Sequence, residues 1–212
     1  MAGHEHPERE PQRDGLMSTV DLTRDERAVR QTSGPVLGMV LFVASEAMFF
    51  ATFFGAYFTI YSVNPVWPPA GFPHLEPGLA TVLTAVLVTS SGTLQLGVRA
   101  IRRDRRRALL GWLGLTILLG VAFLGLQLYD YSLLGFSMRD GIFGSLFYVM
   151  TGLHMAHVFG GVVFLALVLL QGIGGQLSDT SHDSLEAGTI YWHFVDVVWI
   201  CLFTTFYLVG LR

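Results

Sequence analysis

Residues 38–58 read GMVLFVASEAMFFATFFGAYF, a stretch in which Glu46 is the single charged side chain. A hydrocarbon core about 30 Å thick takes about 20 residues of helix, so this block is long enough to cross a bilayer. With its flanks it predicts a helix over about 36–61. Blocks of the same character follow at about 78–98, 108–129, 142–170 and 190–211. The whole chain, 212 residues, is 52% hydrophobic and 14% charged, where a soluble domain carries about 25% charged residues. Its mean hydropathy is +0.53. The expected fold class is therefore all-α, an integral membrane bundle of five transmembrane helices.

The segment before the first block has a different composition. Residues 1–34 are rich in Arg, Glu, Asp and Pro and bury too little apolar surface to fold alone. They are expected to form a flexible polar tail on a membrane domain spanning 35–212. No Ala-x-Ala-type site precedes the first block, so no cleavable signal peptide is expected. The net charge of −3 does not suggest a nucleic-acid partner. The one cysteine, Cys201, excludes an intrachain disulfide.

Arginine placement supplies a direction, because the chain has no lysine. Five arginines lie in the tail (Arg9, Arg13, Arg24, Arg27, Arg30) and six in the run from Arg99 to Arg107, leaving Arg139 and Arg212 for the other side. The positive-inside rule then puts the N-terminus in the cytoplasm and the C-terminus outside. Arg102 and Arg103 belong to a topology-setting cluster able to touch anionic headgroups. The proline-rich loop after the first helix, Asn64-Pro65-Val66-Trp67-Pro68-Pro69, offers Trp67 as an interfacial anchor.

Several polar side chains fall inside the apolar blocks. Glu46 lies about 15 Å along its helix, where a charged carboxylate costs at least about 2.5–3.5 kcal/mol. It needs either a proton or a partner. A proton-handling group and a structural acid bonded to another helix both fit. His154 and His157, three residues apart, are expected to share a face of the fourth helix. Ligation of haem or a metal is one reading, yet the ligands for it are too few. Hydrogen bonding to neighbouring helices is the simpler one, and the nearby small residues Gly152, Ala156, Gly160 and Gly161 suit close helix approach. Near the start of the fifth helix, His193 and Asp196 are spaced to pair, which would ease burial of the acid. Tyr191, Trp192 and Trp199 read as an aromatic belt grading into a buried face. Asp130, at the end of the third helix, needs no special account at that depth.

Four of these blocks resemble cytochrome c oxidase subunit III. Residues 38–58 look like that family's third helix, and Trp67-Pro68-Pro69-x-Gly71 with Ser90-Ser91-x-Thr93 are similar to the loop and helix that follow. Thr151-Gly152-Leu153-His154-x-x-His157 resembles the family's TGxHxxH, and residues 191–199, YWHFVDVVW, are close to its last-helix motif. The blocks occur in family order and cover essentially everything after the tail. The chain departs from many members in lacking two further helices, as the five-helix bacterial form does. It also has Gln171 where many have arginine, and Asp130 where the family has glutamate.

The resemblance implies a non-catalytic core subunit of a proton-pumping terminal oxidase that reduces O₂ to water, in the bacterial inner membrane. It implies direct packing on subunit I, association with subunit II, and contact with phospholipids. Haem and copper are expected in those partner subunits, with no cofactor or metal in this chain. Cytochrome c or quinol would be met only through the complex. Glu46, His154, His157, His193 and Asp196 match the family's polar helix positions. A contact with lipid or a neighbouring subunit is expected at Trp67, Trp192, Arg102 and Arg103. Two alternatives stay open: the five-helix accessory protein of nitric oxide reductase, and a b-type cytochrome ligating haem through His154 or His157.

Overall fold

The computed structural model describes residues 34–69, 72, 75, 77–175, 177 and 183–209. The tail, Gly71 and Arg212 lie outside the described residues. Among those described, five helices are long and apolar enough to cross a membrane, and no strand is present. They are α1 (Gly34–Val63), α2 (Pro77–Ile101), α3 (Arg106–Leu133), α4 (Gly141–Ile173) and α5 (Asp183–Phe203), which runs on through a π-helical segment, Thr204–Leu208.

α5 is longer at its start than hydropathy suggests. It begins at Asp183, seven residues before the apolar run, because its acids Asp183 and Glu186 sit in the first turn. There they complement the positive end of the helix dipole. Leu185, Ala187 and Gly188 in the same turns are buried. This places His193 ten residues into the helix, about 15 Å along its axis, rather than near its end. The α2–α3 turn is short because Asp104 adopts a positive φ of 54° and Arg105 N–H bonds back to Ala100 O at 2.9 Å. Arg106 then reaches across to the last turn of α4, with Nε 2.9 Å from Gly172 O and a terminal nitrogen 2.7 Å from Ile173 O. A cation on orphaned C-terminal carbonyls satisfies both the hydrogen bonds and the dipole.

α5 is the central helix, and its contacts divide by side. Toward α1 run Phe42 on Tyr191 (6.1 Å), Phe50 on Phe194 (6.2 Å) and Tyr57 on Phe206 (5.1 Å). Toward α2, Trp192 Nε1 donates to Ser90 Oγ at 2.9 Å and Trp199 Nε1 to Thr84 Oγ1 at 3.0 Å. Trp192 is also a wedge between α3 and α4. A Cβ at Gly120 would stand 2.7 Å from its Cη2, and one at Gly161 2.9 Å from its Cε3. Only glycine leaves room for the indole there. The small-residue segment of α4 thus works at Gly161. Gly160 and Ala156 are exposed, and nothing lies within 4 Å of a Cβ at Gly152.

α1 is the least enclosed helix, with Phe50 and Tyr57 its buried residues. Its hydroxyls Ser45, Thr52, Thr59 and Ser62 each bond a carbonyl three or four residues back. Back-bonding of this kind lets an apolar environment tolerate them.

Candidate functional site

Glu46 sits twelve residues into α1, about 18 Å along the helix, and faces the middle of α4. Its Oε2 is 3.0 Å from His157 Nε2, and the two side chains are 22% and 16% exposed. His157 Nδ1 is 2.8 Å from Leu153 O. A carbonyl only accepts, so Nδ1 carries a hydrogen. The contact with Glu46 then needs one further proton, held either as a carboxylic acid facing a neutral imidazole or as a carboxylate facing an imidazolium. Both arrangements are neutral overall, which is how the pair resides at this depth without net charge. Phe50 packs edge-on against the imidazole at 5.0 Å, and Tyr191 O–H donates to His157 O at 3.0 Å.

His154 does not share this site. Three residues turn a helix far enough that His157 points to α1 while His154 points inward between α3 and α5. It is fully buried, stacked on Trp199 at 5.2 Å and edge-on to Phe123 at 5.9 Å. Neither of its nitrogens has a hydrogen-bond partner among the described residues. Aromatic rings occupy its surroundings, which fits a packing role. Among the described residues no group of three or more His, Cys, Asp or Glu side chains is arranged to hold a metal.

A second polar cluster joins α2 to α5. His193 Nδ1 is 3.7 Å from Asp196 Oδ2, too far for a direct bond, and Ser91 stands between them. Ser91 O–H donates to Asp196 Oδ2, while its Oγ is 3.0 Å from His193 Nδ1. Gln95 Nε2 is 2.6 Å from His193 Nε2. Pairing of His193 with Asp196 thus runs through a serine that sequence spacing had no means of nominating.

Three expectations are corrected. Trp67 is buried against protein rather than presented outward: its Nε1 donates to Tyr57 OH at 2.9 Å while the ring packs on Phe143. Trp192 meets no lipid, since it is completely buried as the wedge described above. Asp130 is buried rather than a bland end-of-helix acid. Its Oδ2 receives Gln127 Nε2 at 3.4 Å and Tyr207 O–H at 3.3 Å. The available signal was periodicity: Thr116, Gly120, Phe123, Gln127 and Asp130 recur at alternate spacings of four and three on one buried stripe. Arg102 is exposed and lies 3.5 Å from Glu186, and Arg103 is exposed. A cavity of about 250 Å³ opens between α1, α4 and α5, lined by Met39, Phe164, Leu167, Gln171 and Ser184 among others.

The profile of one family, cytochrome c oxidase subunit III, matches residues 16–211. The chain belongs to that family. A cytochrome c oxidase subunit 3 of Synechocystis is 42% identical over 174 residues, covering 82% of this chain and 75% of the relative. That of Thermostichus vulcanus is 38% identical over 174 residues, 82% of this chain and 86% of the relative. The carp protein, Cyprinus carpio, is 41% identical over 177 residues, 80% of this chain but 67% of its own length. Within this subunit III chain, the Glu46–His157 pair and the Ser91–Gln95–His193–Asp196 cluster are two polar sites built inside the membrane-spanning helices. Both join helices that are distant in sequence.

Proposed function

We propose that this chain is a non-catalytic core subunit of a proton-pumping respiratory oxidase that reduces O₂ to water in a bacterial inner membrane. It packs on subunit I, holds phospholipid and supports proton uptake by the complex. The family membership supports the oxidase assignment. The single structural observation that carries the proton-related part is the Glu46–His157 contact at 3.0 Å with Nδ1 committed to Leu153 O. A carboxylate–imidazole pair of this kind holds one proton that either partner can keep, at a depth where an unpaired ion is costly. The apolar cavity beside Gln171 and Ser184 has the size and lining for part of an acyl chain. The exposed arginines of the α2–α3 turn suit anionic headgroups on the cytoplasmic side.

Haem and copper belong, on this reading, to the partner subunits, and cytochrome c or quinol meets only them. Purification of the tagged chain in mild detergent tests the assignment. Subunits I and II with haem and copper in fixed proportion are the expected result. Stoichiometric haem on the isolated chain, or copurification with a haem b and non-haem iron reductase, would overturn it.

A further inference from the structure

Four side chains form one continuous polar file between α2 and α5. Gln95 Nε2 is 2.6 Å from His193 Nε2, His193 Nδ1 is 3.0 Å from Ser91 Oγ, and Ser91 O–H donates to Asp196 Oδ2. His193 Nδ1 and Asp196 Oδ2 are 3.7 Å apart, so the serine joins them and a direct bond does not. The two ends of the file differ in access. Gln95 stands four residues before Arg99, at the arginine-bearing end of α2, and the His193 side chain is 38% exposed. The Asp196 side chain is 9% exposed, and its Oδ1 is buried with no hydrogen-bond partner among the described residues.

Each member of the file can both give and take a hydrogen bond. The Gln95 amide presents its N–H or, turned over, its carbonyl. A neutral imidazole has one nitrogen of each kind, and a hydroxyl donates once while it accepts. The file is therefore complete whichever imidazole nitrogen carries the hydrogen. A carboxylate at Asp196 has one donor for two oxygens, and inside a membrane the oxygen without a donor is costly. A proton on Asp196 removes that charge, and the hydrogen bond to Ser91 is the route by which it can arrive.

We infer that Ser91 is a proton relay between His193 and Asp196, which makes this cluster a second proton-exchanging site of the chain. One step moves one proton. The Nδ1–H bond of a His193 imidazolium breaks as that hydrogen bonds to Ser91 Oγ. The serine's own O–H breaks as its hydrogen bonds to Asp196 Oδ2. Imidazolium and carboxylate become imidazole and carboxylic acid, the serine ends as a hydroxyl again, and the pair has no net charge before or after. The other titratable groups on the packed helices are engaged elsewhere or face outward. Glu46 on α1 and His157 on α4 bond each other, and His154 on α4 is stacked on Trp199. Asp130 on α3 is held by Gln127 and Tyr207, and Arg99 on α2 is exposed. The relay shares no residue with the Glu46–His157 pair, so either reading can fail without the other.

Hydrogen–deuterium exchange at the Asp196 carboxyl tests the relay in the whole detergent-solubilised complex. Infrared spectra after transfer to D₂O follow the carbonyl stretch of the carboxylic acid, assigned by its loss in Asp196→Asn. Ser91→Ala is expected to slow the deuterium shift of this band severalfold, and Ser91→Thr, which keeps the hydroxyl, to restore the rate. The sign separates a relay from a merely structural bond, because a loosened helix contact admits water and speeds exchange. Exchange in Ser91→Ala as fast as in the parent, or faster, would overturn the proposal. So would the lack of any Asp196 acid band across the pH range in which the complex stays intact. If Ser91→Ala is not recovered from the membrane, His193→Gln decides, since it removes the imidazole and leaves Ser91 on Asp196. Slowed exchange there supports the relay, and unchanged exchange overturns it.

Discussion

Glu46 Oε2 lies 3.0 Å from His157 Nε2, and the two residues come from helices separated by more than a hundred positions. Because His157 Nδ1 is engaged by Leu153 O, the pair has one proton to place and no net charge whichever partner holds it.

Glu46→Gln should therefore leave assembly largely intact. The new amide can donate to His157 Nε2, replacing a carboxylic acid hydrogen bond with a neutral one. The amount of complex recovered in mild detergent checks this. Loss of the complex would mean that a charged carboxylate is required there. Glu46→Leu removes any donor and should cost about 1 kcal/mol more than Gln, from an imidazole nitrogen left without its bond.

Gly161→Ala should destabilise the chain by about 1–3 kcal/mol, since the added methyl meets the fully buried Trp192 ring. Gly160→Ala, with its nearest non-local atom 3.6 Å away, should be close to neutral. Thermal unfolding of the two variants in the same detergent gives the comparison. Equal midpoints would show that the indole moves aside freely.

Trp67→Phe should lower stability by about 1 kcal/mol, the net worth of a buried neutral hydrogen bond to Tyr57. The aromatic packing on Phe143 would remain. A variant as stable as the parent would place Trp67 outside the core in the folded protein.

Arg106→Met should loosen the end of α4 without unfolding the bundle. Amide hydrogen exchange in residues 170–175 is expected to rise several-fold, as the Gly172 and Ile173 carbonyls lose their cap. Arg106→Lys should restore only part of the protection, because an ammonium lacks the planar fork that spans two carbonyls. Unchanged exchange in Arg106→Met would remove the capping role.

Much of this protein was legible one residue at a time. Five apolar blocks, each the length of a bilayer crossing, are a local property, and so is the stranding of Glu46 and Asp196 within them. The start of α5 was misread for a local reason as well: acids lower hydropathy but favour the first turn of a helix. The short motifs carried the family, since their order along the chain is itself one-dimensional information.

Composition along the chain settles the number of crossings, their approximate limits and which polar side chains must be accommodated inside them. Which helix faces which depends on rotations and close approaches set by packing, and no periodicity within one helix encodes them. Only the tertiary structure separated His154 from His157, gave Glu46 its imidazole, and put Ser91 between His193 and Asp196. It also turned Trp67, Trp192 and Asp130 inward. The reason is physical: a membrane helix reports its depth through composition, but the partner that satisfies a buried polar atom lies on another helix.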